Sequence, residues 1–317
     1  MIKHKNNYCI VGFGNHAKTK LLPALLKLGK PILGIVSSKK NLDLPYDIFK
    51  TINDALKQSN EKTIFVVSSP PKEHYQQIKL LLKFRKNILI EKPIFIHPRE
   101  VKLTEQYIKN TDVIVAEMLM YKFTNQYKKF IKFWNKKKKQ CNKIECYFNI
   151  PEISSGTFRN SDEITSSSLY DVGSYLFSLL VDLKLYPLDL EITKIKKRKN
   201  KFLKFFIKGS HKHNIDIYLE FGFGNQYHNS VKIHYLKNYI ASFDKFFYGR
   251  DGEKNIILQN NKTLKKITTH DINGFEYMFS KNNSYWKKNQ KERFNKLRYV
   301  NNILYSLTIQ LSSPRGL

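Results

Sequence analysis

A short apolar run, Tyr8 to Val11, passes directly into Gly12-Phe13-Gly14-Asn15-His16-Ala17, and a helical pattern begins at once. Few folds accept a G-x-G-x-x-A turn between a strand and a helix. Gly12 permits the tight turn, Gly14 lets the backbone approach a pyrophosphate, and Ala17 is small enough for the helix to pack on the strand. The first turn of such a helix offers unpaired amides and a partial positive charge. An ordinary glycine turn could share the spacing, but the flanking strand and helix favour a dinucleotide site.

The pattern then repeats. Residues 16–28 read as a helix with Leu21, Leu22, Leu25, Leu26 and Leu28 on its apolar stripe. Strands are expected at 32–36, 47–49, 63–67, 87–90 and 112–116, with helices at 74–84 and 98–109 and a short one starting at Asn53. This alternation predicts a doubly wound parallel sheet. After about residue 120 the pattern changes. A basic helix is expected over 125–138, an apolar helix over 169–183 and a final helix over 291–311. Longer strand-like runs fall at 143–150, 190–195, 202–208, 214–221, 231–235 and 239–247, which suits an antiparallel sheet. A chain of 317 residues fits two domains. We place them at 1–119, for the nucleotide, and 120–317, for substrate binding and oligomerisation.

The end of the second strand bears on which nicotinamide cofactor is expected. An NAD site usually carries an acidic residue there to hold the ribose 2′-hydroxyl. This chain has Ser37-Ser38-Lys39-Lys40 instead. Two hydroxyls and two ammonium groups suit a 2′-phosphate, so NADP(H) is the expected cofactor.

The formal net charge of +30 invites a nucleic-acid reading. Of 56 basic residues only 8 are Arg, however, and bidentate phosphate and base contacts favour Arg. Lys, Asn, Ile, Phe and Tyr all have AT-rich codons, so base composition accounts for the mixture, and no specific nucleic-acid partner is expected. No apolar run approaches the length of a membrane span. The N-terminus lacks the apolar core of a signal peptide, so a cytoplasmic protein is expected. Cys9, Cys141 and Cys146 have neither disulfide nor metal-ligand spacing, and no metal is expected.

Further motifs come in order along the chain: Ser69-Pro70-Pro71 with His74, Glu91-Lys92-Pro93, Glu117-Met118-Leu119-Met120-Tyr121-Lys122-Phe123, and Leu169-Tyr170-Asp171-Val172-Gly173-Ser174-Tyr175. Together with the glycine loop they resemble the glucose–fructose oxidoreductase / inositol dehydrogenase / rhizopine-catabolism (Gfo/Idh/MocA) family. The segment after residue 116 resembles its NADP-using branch, which includes dimeric dihydrodiol dehydrogenase. The resemblance implies an N-terminal Rossmann domain and a C-terminal α/β domain with an open, mainly antiparallel sheet. It also implies hydride transfer between the nicotinamide and a sugar-like carbinol or ketone, in a homodimer or homotetramer.

By this resemblance Lys92, Asp171 and Tyr175 are the catalytic candidates. Lys92 stands at the carboxyl end of a parallel strand, where open α/β sheets place ligands, and an ammonium there can polarise a carbonyl oxygen. Tyr175 stands where most of the family has His; a phenol near an ammonium is a suitable acid. Packing into the core is the alternative for Tyr175. Asp171 would accept a hydrogen bond from a substrate hydroxyl. Gly12, Phe13, Gly14, Asn15, His16, Ala17, Ser37, Ser38, Lys39, Ser69, Pro70, His74, Glu91 and Lys92 are the expected cofactor-binding set.

Three positions depart from the family pattern. Ser166-Ser167-Ser168 replaces a glycine-rich lead-in, Lys122 replaces Arg, and Asn125 stands near where Pro is usual. They keep open a catalytically weak NADP-binding sensor or scaffold. A nucleotide-linked keto-sugar is the substrate that the basic composition favours.

Overall fold

The structure, a computed structural model, describes residues 6–39, 42–151, 159, 161, 163–198, 201–211, 214–224, 226–261 and 263–312. It divides into two compact units: Met1–Leu119 with Phe275–Asn295, and Met120–Gly274 with Lys296–Leu317. The chain therefore returns to its first unit near the end.

The first unit is built on six parallel strands: β1 (Tyr8–Val11), β2 (Ile32–Val36), β3 (Asp47–Phe49), β4 (Ile64–Val67), β5 (Asn87–Glu91) and β6 (Val115–Met118). They lie in the order β3-β2-β1-β4-β5-β6. This is the doubly wound arrangement, whose order reverses between β1 and β4. Strands β1 and β4 are wholly buried, which is why they read as unbroken apolar runs. Register fixes the site's edge. Val11 lies beside Val36 and Val67, Val67 beside Ile90, and Ile90 beside Glu117. The carboxyl ends are level, so Gly12, Ser37, Ser68 and Glu91 all leave the sheet on one edge.

In the second unit an eight-stranded sheet contains β7 (Cys141–Ile150), β8 (Leu188–Arg198), β9 (Lys201–His211), β10 (Ile215–Phe223), β11 (His228–Tyr235), β12 (Tyr239–Asp244), β13 (Gly252–Gln259) and β14 (Leu264–Asp271). The order is β14-β13-β12-β11-β7-β10-β9-β8, antiparallel except where β7 runs parallel to β10. The helix Gly173–Asp182 is buried from Gly173 to Val181. A Cβ on Gly173 would come within 2.9 Å of the Phe221 ring, so glycine sets how closely this helix approaches β10.

Several expectations are corrected. The first helix is not one regular piece: a π-helical turn, Ala17–Leu21, precedes the α-helix Leu22–Lys27. The wider turn shifts the phase of the α-helix after it, so Leu26 is exposed and Ala24 is buried in its place. The helix expected over 169–183 is broken at Val172 into Ser168–Asp171 and Gly173–Asp182. The expected strand at 112–116 pairs later, as Val115–Met118. Its approach is held by side chains instead: Asn87 Oδ1 accepts from Ile114 N and Gln290 Oε1 from Val115 N. Strands β13 and β14 and the helices Gly274–Phe279 and Asn283–Lys288 were not expected. Among the described residues no helix is long and apolar enough to cross a membrane, and no cluster of three or more His, Cys, Asp or Glu could hold a metal.

Candidate functional site

The glycine loop has the geometry its sequence demands. Gly12 sits at φ +86°, and a Cβ there would come within 2.8 Å of Ser69 N. Any side chain would push β1 away from the end of β4. Nothing lies within 4 Å of a Cβ built on Gly14, so its face is open to a ligand. Lys18 N–H donates to Gly14 O at 3.0 Å. The amides of Asn15, His16 and Ala17 therefore precede the first helical bond and have no acceptor within the helix. Ala17 is fully buried and Phe13 nearly so. An open glycine face beside free first-turn amides fits a dinucleotide's pyrophosphate.

At the end of β2, Ser37 is buried, and its Oγ accepts from Lys39 N at 3.2 Å. Ser38 and Lys39 are exposed, and none of the described residues 37–39 is acidic. Lys40 lies outside the described residues.

Two histidines tie this edge together. His74 is fully buried, with Nε2 2.8 Å from Ser69 O and Nδ1 3.0 Å from Pro93 O. Burial holds its pKa below the usual histidine range, against the pull of both carbonyls and of Glu91. A neutral imidazole has one N–H, so it donates to one of the two carbonyls at a time. Ser69 Oγ donates to Gln77 Oε1, and Pro70 leads into the helix Pro71–Lys83. His16, on the first turn after the glycines, places Nε2 3.0 Å from Glu91 Oε1. Burial alone would raise the Glu91 pKa. The charge and hydrogen bond of His16, together with the charges of Lys92 and His74, outweigh it, and the carboxyl is held below its usual range. Lys92 follows at the end of β5, half-buried. The structure thus brings His16, Ser69, His74, Glu91 and Lys92 to one edge of the sheet with the glycine loop.

In the second unit Asp171 is engaged by Arg159. The guanidinium Nε is 2.7 Å from Oδ2, and a terminal nitrogen donates to Oδ1 at 3.3 Å. Sequence reasoning missed Arg159, since nothing in its neighbourhood marks it as Asp171's partner. Tyr175 is buried. Its hydroxyl donates to Met120 Sδ at 3.5 Å, and its ring packs among Tyr121, Phe148 and Phe247.

The three departures each have a local reason. Lys122 Nζ lies 2.7 Å from Asp182 Oδ2, Lys296 Nζ lies 3.0 Å from Oδ1, and Tyr127 Oη donates to the same carboxylate at 2.7 Å. Burial would raise the Asp182 pKa, but the two ammonium groups and the hydroxyl more than offset this and hold it low. Asn125 N–H donates to Asp271, a bond proline could not make. Ser166, Ser167 and Ser168 are buried, and the first two turn their hydroxyls onto the carbonyls of Ser161, Glu163 and Ile164. These serines close a turn rather than line a surface.

Comparison with known proteins agrees with this geometry. Residues 6–119 match the GFO_IDH_MocA model, described as an oxidoreductase family with an NAD-binding Rossmann fold. A curated relative, Oxidoreductase P35 of Formosa agariphila, is 26% identical over 118 residues, and the alignment spans only 36% of that protein. The fold of the whole chain resembles that of KijD10, a 3-ketoreductase from Actinomadura kijaniata solved with NADP and TDP-benzene. The two share 13% identity at a TM-score of 0.84, over 95% of this chain and 96% of that one. A dehydrogenase from Chromobacterium violaceum matches at TM-score 0.73, with 13% identity, over 96% of this chain and 95% of the other. At such identities the likeness establishes the fold and leaves the chemistry to the residues of this chain.

Proposed function

We propose that this protein is an NADP(H)-dependent oxidoreductase that interconverts a carbinol and a ketone on a sugar or sugar derivative, with a nucleotide-linked keto-sugar on the way to a surface glycan as substrate. The observation that carries the reading is the position of Lys92. It follows a held-down carboxylate at the end of β5, on the same sheet edge as the open Gly14 face and the free first-turn amides. When bound, the nicotinamide supplies or accepts the hydride.

The chain's own residues supply the rest. The amides of residues 15–17 hold the pyrophosphate, with Gly12 and Gly14 keeping the approach clear. Ser37, Ser38 and Lys39 hold the 2′-phosphate. Lys92 polarises the substrate oxygen as its charge changes, and Tyr175 is the second unit's candidate proton donor. Asp171 orients a substrate hydroxyl in exchange for its bond to Arg159. KijD10 is a 3-ketoreductase solved with NADP and TDP-benzene, which supports this substrate class. The reading places the protein in the cytoplasm as a homodimer or homotetramer, with residues 120–317 serving substrate binding and oligomerisation. Sedimentation of the purified protein tests the assembly.

The central test is Lys92→Met assayed against keto forms of nucleotide sugars and free aldoses. Binding of NADPH should persist while turnover drops by about a thousandfold. Normal turnover by the variant would remove Lys92 from the mechanism.

One observation favours a second reading, an NADP-binding sensor or scaffold with little catalysis. Asp171 is held by Arg159, and the Tyr175 hydroxyl faces a thioether inside an aromatic cluster. This reading predicts tight NADPH binding and no oxidation of NADPH by any compound in the panel.

A further inference from the structure

In Ser69-Pro70-Pro71 the two residues after Ser69 carry no backbone N–H, so neither takes up the Ser69 carbonyl. A side chain does so instead. His74, on the first turn of the helix Pro71–Lys83, places Nε2 2.8 Å from Ser69 O. Its Nδ1 is 3.0 Å from Pro93 O, in the residue after Lys92. One fully buried ring therefore stands between two turns that do different work. The Ser69 turn backs the glycine loop, since a Cβ on Gly12 would come within 2.8 Å of Ser69 N. The Pro93 turn carries Lys92. The two carbonyls compete for one proton. Burial lowers the pKa of His74 against the pull of both carbonyls and of Glu91, and a neutral imidazole has one N–H and one bare nitrogen. A buried acceptor without a donor is unfavourable, so the turn that lacks the proton is the looser of the two.

Building on the NADP(H) oxidoreductase reading, we propose that His74 is a positioning residue whose single ring proton is shared between the Ser69 turn and the Lys92–Pro93 turn, so that support of cofactor binding and support of turnover trade against each other. With the proton on Nε2, the Ser69 turn is held and the floor of the glycine loop is firm. With the proton on Nδ1, the Pro93 turn is held and Lys92 is fixed at the end of β5. Passing from one tautomer to the other changes no net charge and needs no movement of the ring. His74 then acts through backbone, as suits a ring with no exposed surface and both nitrogens turned to carbonyls.

Two amide side chains separate the tautomers. Glutamine places its N–H donor near the Nε2 position and asparagine places its donor near Nδ1. His74→Gln should keep its NADPH affinity and lose about fivefold in kcat on the panel of keto nucleotide sugars and aldoses, the size of one net hydrogen bond. His74→Asn should keep its kcat and bind NADPH about fivefold more weakly. Melting temperatures of the two variants should match, because each keeps one bond and loses one. Crystal structures of both give a readout that needs no substrate: the Lys92–Pro93 turn should move only in His74→Gln, and the Ser69 turn only in His74→Asn. Affinity and kcat falling together in both variants, or both turns staying in place, overturns the trade and leaves the oxidoreductase reading standing. If wild type binds neither NADPH nor NADH, that reading falls, and the two crystal structures still decide whether one ring proton serves two turns. Should neither variant fold, nitrogen-15 histidine NMR of wild type decides. His74 should show one protonated ring nitrogen whose proton is protected from exchange with water, and a freely exchanging proton overturns the proposal.

Discussion

The two units hold their candidate groups in different ways. In the first, Gly12, Ser69, His74 and Glu91 are fixed by hydrogen bonds and close backbone approach on a sheet edge, and Lys92 is left half-buried. In the second, Tyr175 sits inside a packed aromatic cluster, and the nearby charges Lys122, Asp182 and Lys296 are bound to one another. The contrast teaches where mutation should separate function from stability. Groups on the first unit's edge can be changed with modest loss of stability. Groups in the second unit's core serve packing first, and any chemistry assigned to them must survive that test.

The largest departure from this contrast would come at Asp182. Removing its carboxylate strands two ammonium groups, so Asp182→Ala should cost about 3 kcal/mol in urea unfolding while leaving the glycine loop's ligand affinity intact. The sign of the pH dependence comes from the lowered pKa. A depressed carboxylate contributes stability that is complete above its unfolded pKa, near 3.9, and is lost as pH falls through the folded value. Wild type should therefore lose stability more steeply than Asp182→Asn on acidification below about pH 4. Parallel acid unfolding curves would remove Asp182 from the account.

Tyr175→Phe sharpens the same boundary. A proton donor should lose about a hundredfold in turnover with little change in melting temperature. A lower melting temperature with unchanged turnover would assign the hydroxyl to packing. In the first unit, Gly12→Ala forces a side chain into left-handed backbone and against Ser69. It should cost about 2 kcal/mol and abolish cofactor binding together, the one edge position where both fall. The smallest effect is expected at Lys39. Lys39→Glu should shift preference from NADPH toward NADH by about tenfold, the order expected of reversing one exposed charge beside a phosphate. An unchanged preference would leave Ser37 and Ser38 as the only described partners of the 2′-phosphate.

The units also differ in how far their sequences revealed them. Strands β1, β2 and β3 were legible to the residue because each is a short run, mostly apolar, bounded by turn signals. The hairpin of β13 and β14 was not, and its chemistry explains why. Its inner face carries Lys254 and Asp271, charged residues that break the apolar alternation of a half-buried strand. They form a buried ion pair, 2.8 Å apart, with side chains 1% and 0% exposed. Burial pulls Lys254 below its usual range, against the support of Asp271. Pairing between side chains that are not neighbours in sequence leaves no periodic mark. The same reason hid Arg159 behind Asp171, and the Glu91 partner of His16 lies on another strand's end. Lys92 was visible because its own neighbours, Glu91 and Pro93, form a local motif. The buried Cys9 also behaves as its alternation suggested: burial pushes its thiol up to about 12, well out of the reactive range.

The return of Phe275–Asn295 to the first unit reaches into how the protein is made. Phe279 packs edge-on against Tyr8, Phe294 lies near Phe95, and Gln290 completes the backbone bonding of Val113 and Val115. A ribosome releases all of β7 to β14 before it delivers these residues. The domain that emerges first is therefore finished almost last, and a nascent chain carries an incompletely covered nucleotide fold through most of its synthesis.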